Sequence, residues 1–233
     1  MQKIVGLAGR KQSGKNTSYN CMKLWIPDAQ EFAFADPLKR MCIDILGLEE
    51  RQAYGSDADK NEEIPHLRWE NFPLLVGEKG NILNPVDITY SDGEIYCGKT
   101  KVKTGPMTGR QVLQYWGSEI FRRAYGNVWV DATLRKIRKS GCTFAVITDC
   151  RFPNELEAIQ AAGGKVIKLT RNIFPNDNHP SETAFDEDKF NQELFDAVLD
   201  NRLMDVSDQC ESLYAILRRW GYVDKKELGR IHV

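Results

Sequence analysis

The sequence predicts an α/β fold of three layers, a central parallel sheet between helices, and three observations carry that expectation. Short apolar runs closed by glycine or aspartate, such as Ile4 to Ala8 and Phe144 to Thr148, read as strands buried on both faces. Segments of helical apolar spacing alternate with these runs along the chain. A glycine-bounded turn, Gly9 to Gly14, joins the first apolar run to the first helical segment.

Taken in order, Lys3 to Ala8 is the first strand, and the chain turns helical after Gly14. Glu31 to Ala35 is a second short strand. Asp36-Pro37 then opens a helix in which Leu38, Met41, Cys42 and Ile45 recur at helical spacing until Gly47 stops it. Residues 50 to 107 break this rhythm. They hold Pro65, Pro73, Pro85 and Pro106, and a hairpin signal in which Asp92-Gly93 separates Ile88-Thr89-Tyr90 from Glu94-Ile95-Tyr96. This stretch reads as an insertion rather than a second domain. Thr108 to Gln111 fits a capping box, with Val112, Leu113, Trp116 and Ile120 on one helical face. A helix over 128 to 139 ends in Arg135, Lys136, Arg138 and Lys139, a cationic end that suits the helix dipole. The strand Phe144 to Thr148 is closed by Asp149, and a helix runs from Pro153 to Gly163-Gly164. Lys165 to Thr170 is a strand, and a polar stretch, 171 to 188, follows. A strand over 196 to 199 precedes a helix carrying Val206, Leu213, Ile216 and Leu217.

Composition narrows the class. The 233 residues suffice for one domain with a sizeable insertion. With 42% hydrophobic and 28% charged residues, the chain is neither disordered nor a disulfide scaffold. A formal charge of −1 argues against duplex nucleic acid as a partner. No stretch approaches the roughly 18 apolar residues of a membrane span. The six cysteines are scattered without a CxxC pair, so the expectation is a reduced, cytoplasmic protein without structural zinc.

The chemistry concentrates at the first turn. Gly9-Arg10-Lys11-Gln12-Ser13-Gly14-Lys15 is a GxxxxGK pattern followed by Asn16 and Thr17. Glycines let the backbone curl so that its N–H groups converge on phosphate oxygens, and the following helix adds its positive end. Gly9, Lys11, Ser13, Gly14, Lys15, Asn16 and Thr17 are therefore the candidate nucleotide-binding residues, against the plainer reading of a glycine-rich turn with an exposed lysine. The displaced hydroxyl, Gly14-Lys15-Asn16-Thr17, resembles the nucleoside monophosphate kinase form of the loop. Asp149, ending a hydrophobic strand, is the candidate to orient Mg²⁺ together with Thr17; its alternative is helix capping. Arg151 is a candidate for steadying phosphoryl oxygens or an ordinary surface arginine. Asp36 reads equally as a helix cap or a catalytic carboxylate. Arg110 opposes the dipole in a first helical turn, which a bound anion would explain, and Arg171 opens the polar stretch as a lid arginine or a strand-end charge.

Five blocks in order then carry a resemblance. Gly9 to Thr17, Phe34 to Lys39, Thr108 to Gln114 with Gly117-Ser118-Glu119, Val146 to Glu155, and His179-Pro180-Ser181-Glu182 together resemble the deoxynucleoside monophosphate kinases of tailed bacteriophages. The resemblance runs from about residue 3 to 220, leaving out the 50–107 insertion, and implies a single P-loop kinase domain over 1–233 with a helical acceptor-binding region and a lid-like segment over 171–188. It implies transfer of the γ-phosphate of ATP, with Mg²⁺, to a deoxynucleoside monophosphate. By the same resemblance Lys15 and Thr17 serve ATP, while Asp149 and Arg151 lie at the metal and the transferring phosphate. Asp36, Lys39, Arg110 and Gln114 face the acceptor, and Arg171 and His179 to Glu182 belong to the lid. A homodimer and a host cytoplasm are implied for a phage-encoded chain. Asn16 departs from the usual residue beside the lysine, and the insertion has no counterpart in the pattern. Two other classes compete: a kinase of a dephospho-coenzyme A or phosphomevalonate type, and a module that senses ATP without turnover.

Overall fold

The computed structural model describes residues 2–84, 87–174 and 180–224. The chain forms two compact units: Met1–Asp36 with Trp129–Val233, and Pro37–Val128. The first unit carries the main sheet.

Its strands are β1 (Lys3–Ala8), β2 (Gln30–Phe32), β3 (Phe144–Cys150), β4 (Lys165–Leu169) and β5 (Ala197–Leu199). Its main helices are α1 (Lys15–Trp25), α2 (Val128–Ser140), α3 (Pro153–Ala161) and α4 (Val206–Arg219). The strands form one sheet of five in the order β5-β4-β1-β3-β2, all neighbours parallel. The side-chain period of two divides β1 between two cores. Val5 and Leu7 join Met22 and Trp25 of α1 and Leu213 and Leu217 of α4. Ile4 and Ala8 join Leu134 and Ile137 of α2 and Leu156 and Ile159 of α3. Helices on both faces explain why the strands read as continuous apolar runs. At Gly6 a Cβ would lie 2.6 Å from Ile159 Cδ1, so the missing side chain lets α3 close on the sheet. The central strand β1 stands where the connections diverge to either side, and such switch points place ligands at the carboxyl ends of the strands.

Two features of this unit differ from expectation. The second strand ends at Phe32 rather than Ala35, because the N–H groups of Phe34 and Ala35 donate to the Asp149 carboxylate instead of a sheet neighbour. Cys21 and Cys210 form a disulfide where reduced thiols were expected. Their separation of 189 residues hides the pair in the sequence, and the packing of α1 on α4 brings their Cα atoms to 5.3 Å.

In the second unit the helix Asp36–Leu46, which begins at the boundary, buries Leu38 and Cys42. Short helices Glu50–Tyr54 and Asp57–Lys60 precede an antiparallel pair, Glu63–Arg68 with Pro106–Thr108. The expected hairpin is present, Ile88–Ser91 against Glu94–Cys97, with positive φ at both Asp92 and Gly93 as a two-residue turn of this hand requires. Thr108 caps the helix Gly109–Gln114 through the expected reciprocal bonds with Gln111. From Tyr115 to Arg122 the backbone widens into a π-helix, which apolar spacing does not distinguish from an α-helix.

Candidate active site

The turn after β1 is shaped by its glycines. Gly9 has φ of +146° and a Cβ there would lie 2.6 Å from Ser13 Oγ and 2.9 Å from Leu169 O; Gly14 has φ of +98°. Side chains are strained at such angles, so the glycines at both ends let the chain wrap. What it wraps is Lys15. The Lys15 ammonium donates to Gly9 O and Arg10 O, each at 2.7 Å, and to Ser13 Oγ at 3.4 Å. Only 7% of the residue is exposed. Burial, and next the Arg151 guanidinium, lower its pKa from 10.5 to about 8, while Glu182 and Asp149 act in the opposite direction. At neutral pH the turn thus holds a positive charge that is poorly solvated, a strong attractor for an anion. Asn16 is exposed and Thr17 half-buried on the first turn of α1.

The end of β3 supplies the next groups. Asp149 accepts from Phe34 N at 2.7 Å and Ala35 N at 3.0 Å, so its carboxylate is fixed in direction. The buried Glu155 in the first turn of α3 accepts from the backbone N–H of Arg151 at 2.7 Å and of Phe152 at 3.1 Å, which anchors the segment between β3 and α3. The Arg151 guanidinium pairs with Glu182, from the one-turn helix Pro180–Thr183. Glu182 also accepts from the Lys11 N–H at 2.5 Å, and its side chain is nearly buried. One carboxylate therefore occupies a loop N–H and an arginine, two donors of the type that phosphate oxygens take. Arg10 makes a two-armed ion pair with Asp186, both contacts at 2.8 Å.

Beside these groups lies a cleft of about 500 Å³. Arg10, Arg151, Lys168, Arg171 and Arg202 line it together with Glu182, Asp186, Glu187 and Asp188, so its cations face a comparable number of carboxylates. Burial lowers the Lys168 pKa. Arg171 directs its guanidinium to the carbonyls of Asn201 and Met204, at 2.6 to 3.1 Å.

The structure thus gathers Lys11, Lys15, Asp149, Arg151 and Glu182 in the first unit, with Asp36 in the same unit facing Lys136 at 3.7 Å. Lys39, Arg110 and Gln114 belong to the second unit. There the Lys39 ammonium sits 4.3 Å above the Tyr54 ring, Arg110 donates to Asp57 at 2.7 Å and Asn61 at 3.1 Å, and Gln114 is exposed. The interaction with two partners of its own unit gives Arg110 a local reason to stand in a first helical turn. His179 lies outside the described residues. Sequence reasoning missed Glu155 as an anchor and Asp186 as the partner of Arg10. The capping pattern Phe152-Pro153-Asn154-Glu155 was a signal for the former, whereas nothing local marks the latter.

An open parallel sheet whose first strand feeds a glycine turn wrapped around a lysine defines a P-loop kinase fold. No family model matches the chain. It is 30% identical over 197 residues to a protein of Acanthamoeba polyphaga mimivirus described as a putative deoxynucleotide monophosphate kinase, covering 77% of this chain and 80% of that one. It is 26% identical over 245 residues to the deoxynucleoside-5'-monophosphate kinase of Escherichia phage T5, covering 91% and 97% respectively. The chain belongs to the deoxynucleotide monophosphate kinase family, and it is an enzyme of the kinase class. No helix among the described residues is long and apolar enough to cross a membrane.

Proposed function

We propose that the enzyme transfers the γ-phosphate of ATP to a deoxynucleoside 5'-monophosphate, giving ADP and the deoxynucleoside diphosphate. The observation that carries this reading is the buried Lys15 ammonium inside the turn after β1, with Arg151 near enough to depress its pKa. Two cations concentrated at one helix N-terminus suit a polyphosphate better than a singly charged ligand.

The acceptor phosphate is already an anionic nucleophile. Its oxygen donates an electron pair to the γ-phosphorus, and the bond to the β–γ bridging oxygen breaks with its pair left on ADP. No base is required. The protein's work is to bring two polyanions together and to stabilise charge spread over the transferring group. Lys15 meets the β- and γ-phosphates and Arg151 meets the transferring group, once Glu182 gives up its hold on Arg151 and on the Lys11 N–H.

The residues fit Mg²⁺ in the sparse manner usual for nucleotide kinases. Among the described residues no cluster of three or more His, Cys, Asp or Glu side chains forms a protein-only metal cage. Mg²⁺ keeps several waters and takes one or two protein groups besides the phosphates, for which Thr17 and the fixed Asp149 carboxylate suffice. When bound, the ion would neutralise charge on the β- and γ-oxygens. Lys39, Arg110, Gln114 and Asp36 are assigned to the acceptor, and Arg171, His179 and Glu182 to the lid side.

A coupled ADP-release assay with a panel of deoxynucleoside monophosphates, dephospho-coenzyme A and phosphomevalonate tests the proposal. Turnover with one or more deoxynucleotides and none with the other acceptors is expected. ADP release only with another acceptor, or ATP binding without turnover on any of them, overturns it.

A further inference from the structure

We infer that Asn201 and Gln209 are positioning residues of the nucleotide site, two buried amides that set the direction of the peptide groups in the phosphate loop. The inference rests on the ATP reading above and adds to it residues from the opposite end of the chain. Asn201 follows β5 and Gln209 lies in the first turn of α4; they are 0% and 1% exposed. Burying two primary amides is unfavourable unless each polar atom finds a partner, so their bonding is informative.

Every N–H of both amides is used. Asn201 Nδ2 donates to Ser13 O at 2.7 Å and to Gln209 Oε1 at 3.0 Å. Gln209 Nε2 donates to Gly14 O at 3.0 Å and to Ser18 Oγ at 2.8 Å. Asn201 Oδ1 accepts the backbone N–H of Arg171 at 2.9 Å, which ties the pair to the end of β4. The two carbonyls they hold are consecutive, and they are the last two of the loop before Lys15.

A trans peptide points its C=O and the following N–H in opposite directions. Fixing Ser13 O on Asn201 therefore turns the N–H of Gly14 to the side away from the amides. Gly14 O is held by the Ser18 N–H at 2.9 Å and the Ser18 hydroxyl at 3.0 Å as well as by Gln209, and this shared hold does the same for the N–H of Lys15. These are the donors a glycine-rich loop offers to phosphate oxygens, and here their direction is settled before any ligand arrives. The fit also accounts for Gly14 a second time. Besides its φ of +98°, a Cβ at this position would lie 3.0 Å from both Gln209 amide atoms and 3.2 Å from Asn201 Nδ2.

The test is an equilibrium titration of the full-length protein with ATP in the absence of acceptor. Gln209→Met keeps the side-chain length and removes the amide. Its expected ATP dissociation constant is about tenfold weaker than wild type, and in turnover its ATP KM rises while the acceptor KM stays within about twofold. A residue with only a structural role would lower the melting temperature and leave that split absent. An ATP dissociation constant within twofold of wild type, in a folded variant, overturns the inference. Should Gln209→Met fail to fold, Ser18→Ala removes one partner of the same amide together with that hydroxyl's own bond to Gly14 O and is expected to weaken ATP about threefold; unchanged binding there overturns the inference as well. A wild-type protein that binds no ATP overturns the nucleotide reading and this inference with it. Wild-type binding together with unperturbed variants removes the positioning role alone.

Discussion

Replacing Lys15 with methionine separates what the ammonium contributes to stability from the phosphate contact proposed for it. The side chain is buried, and its pKa falls from 10.5 to about 8 in the folded protein, first through burial and then through the Arg151 charge. Below pH 8 the group is charged in both the folded and the unfolded chain, so the folded state carries the full penalty. Between pH 8 and 10.5 the folded chain has lost the proton while the unfolded chain keeps it, and stability rises with pH. Above 10.5 the penalty is gone. The shift corresponds to about 3 kcal/mol. Lys15→Met has no such group, so subtracting its unfolding free energy from that of wild type cancels the other titrations. Urea unfolding of both proteins at pH 7.5, 9 and 10.5 should show the difference moving in favour of wild type by about 3 kcal/mol. A difference constant to within about 1 kcal/mol would mean that Lys15 titrates normally, and the picture of a strained cation awaiting an anion would fail. ATP binding supplies the complementary measurement. The dissociation constant should weaken above pH 8, by up to about tenfold per pH unit, because the ammonium must be recharged to meet the phosphates.

Arg151→Ala should fold and lose about 10³ to 10⁵ in kcat; retention of more than a tenth of wild-type turnover would remove Arg151 from the transferring group. Cys210→Ser should be less stable than wild type under non-reducing conditions, by at most about 5 kcal/mol from the loop that the Cys21–Cys210 bond closes, and the two should converge in excess dithiothreitol. Equal stability in both conditions would show that the bond does not form in solution. Gly6→Ala should cost about 1–3 kcal/mol, since its Cβ meets Ile159 Cδ1 at 2.6 Å, with ATP affinity unaltered in the folded protein. Chemical denaturation and the same ATP titration check both halves of that expectation.

Much of the first unit is legible because its determinants are local. Apolar runs without alternation report strands covered on both faces, and Pro153 and Gly163 mark helix ends there, as the Thr108 box does in the second unit. The glycine turn that wraps Lys15 is legible for the same reason: glycines, lysine and strand-helix context are contiguous. The π-helix at Tyr115 is not, since i→i+5 bonding leaves little trace in apolar spacing. Nor is the end of β2, because the N–H groups that follow it bond to Asp149, more than a hundred residues away.

The sequence by itself determined the α/β class, the glycine turn around Lys15 and the candidate cations, each written in a few neighbouring residues. The tertiary structure alone decided which partners those groups meet. It placed Glu182 on Lys11 and Arg151, paired Arg10 with Asp186, joined Cys21 to Cys210, and set Asn201 and Gln209 behind Ser13 and Gly14. The physical reason is that hydrogen bonds and ion pairs act over about 3 Å. Only the parallel sheet, by laying the ends of β1, β4 and β5 side by side, brings residues nearly two hundred positions apart within that reach.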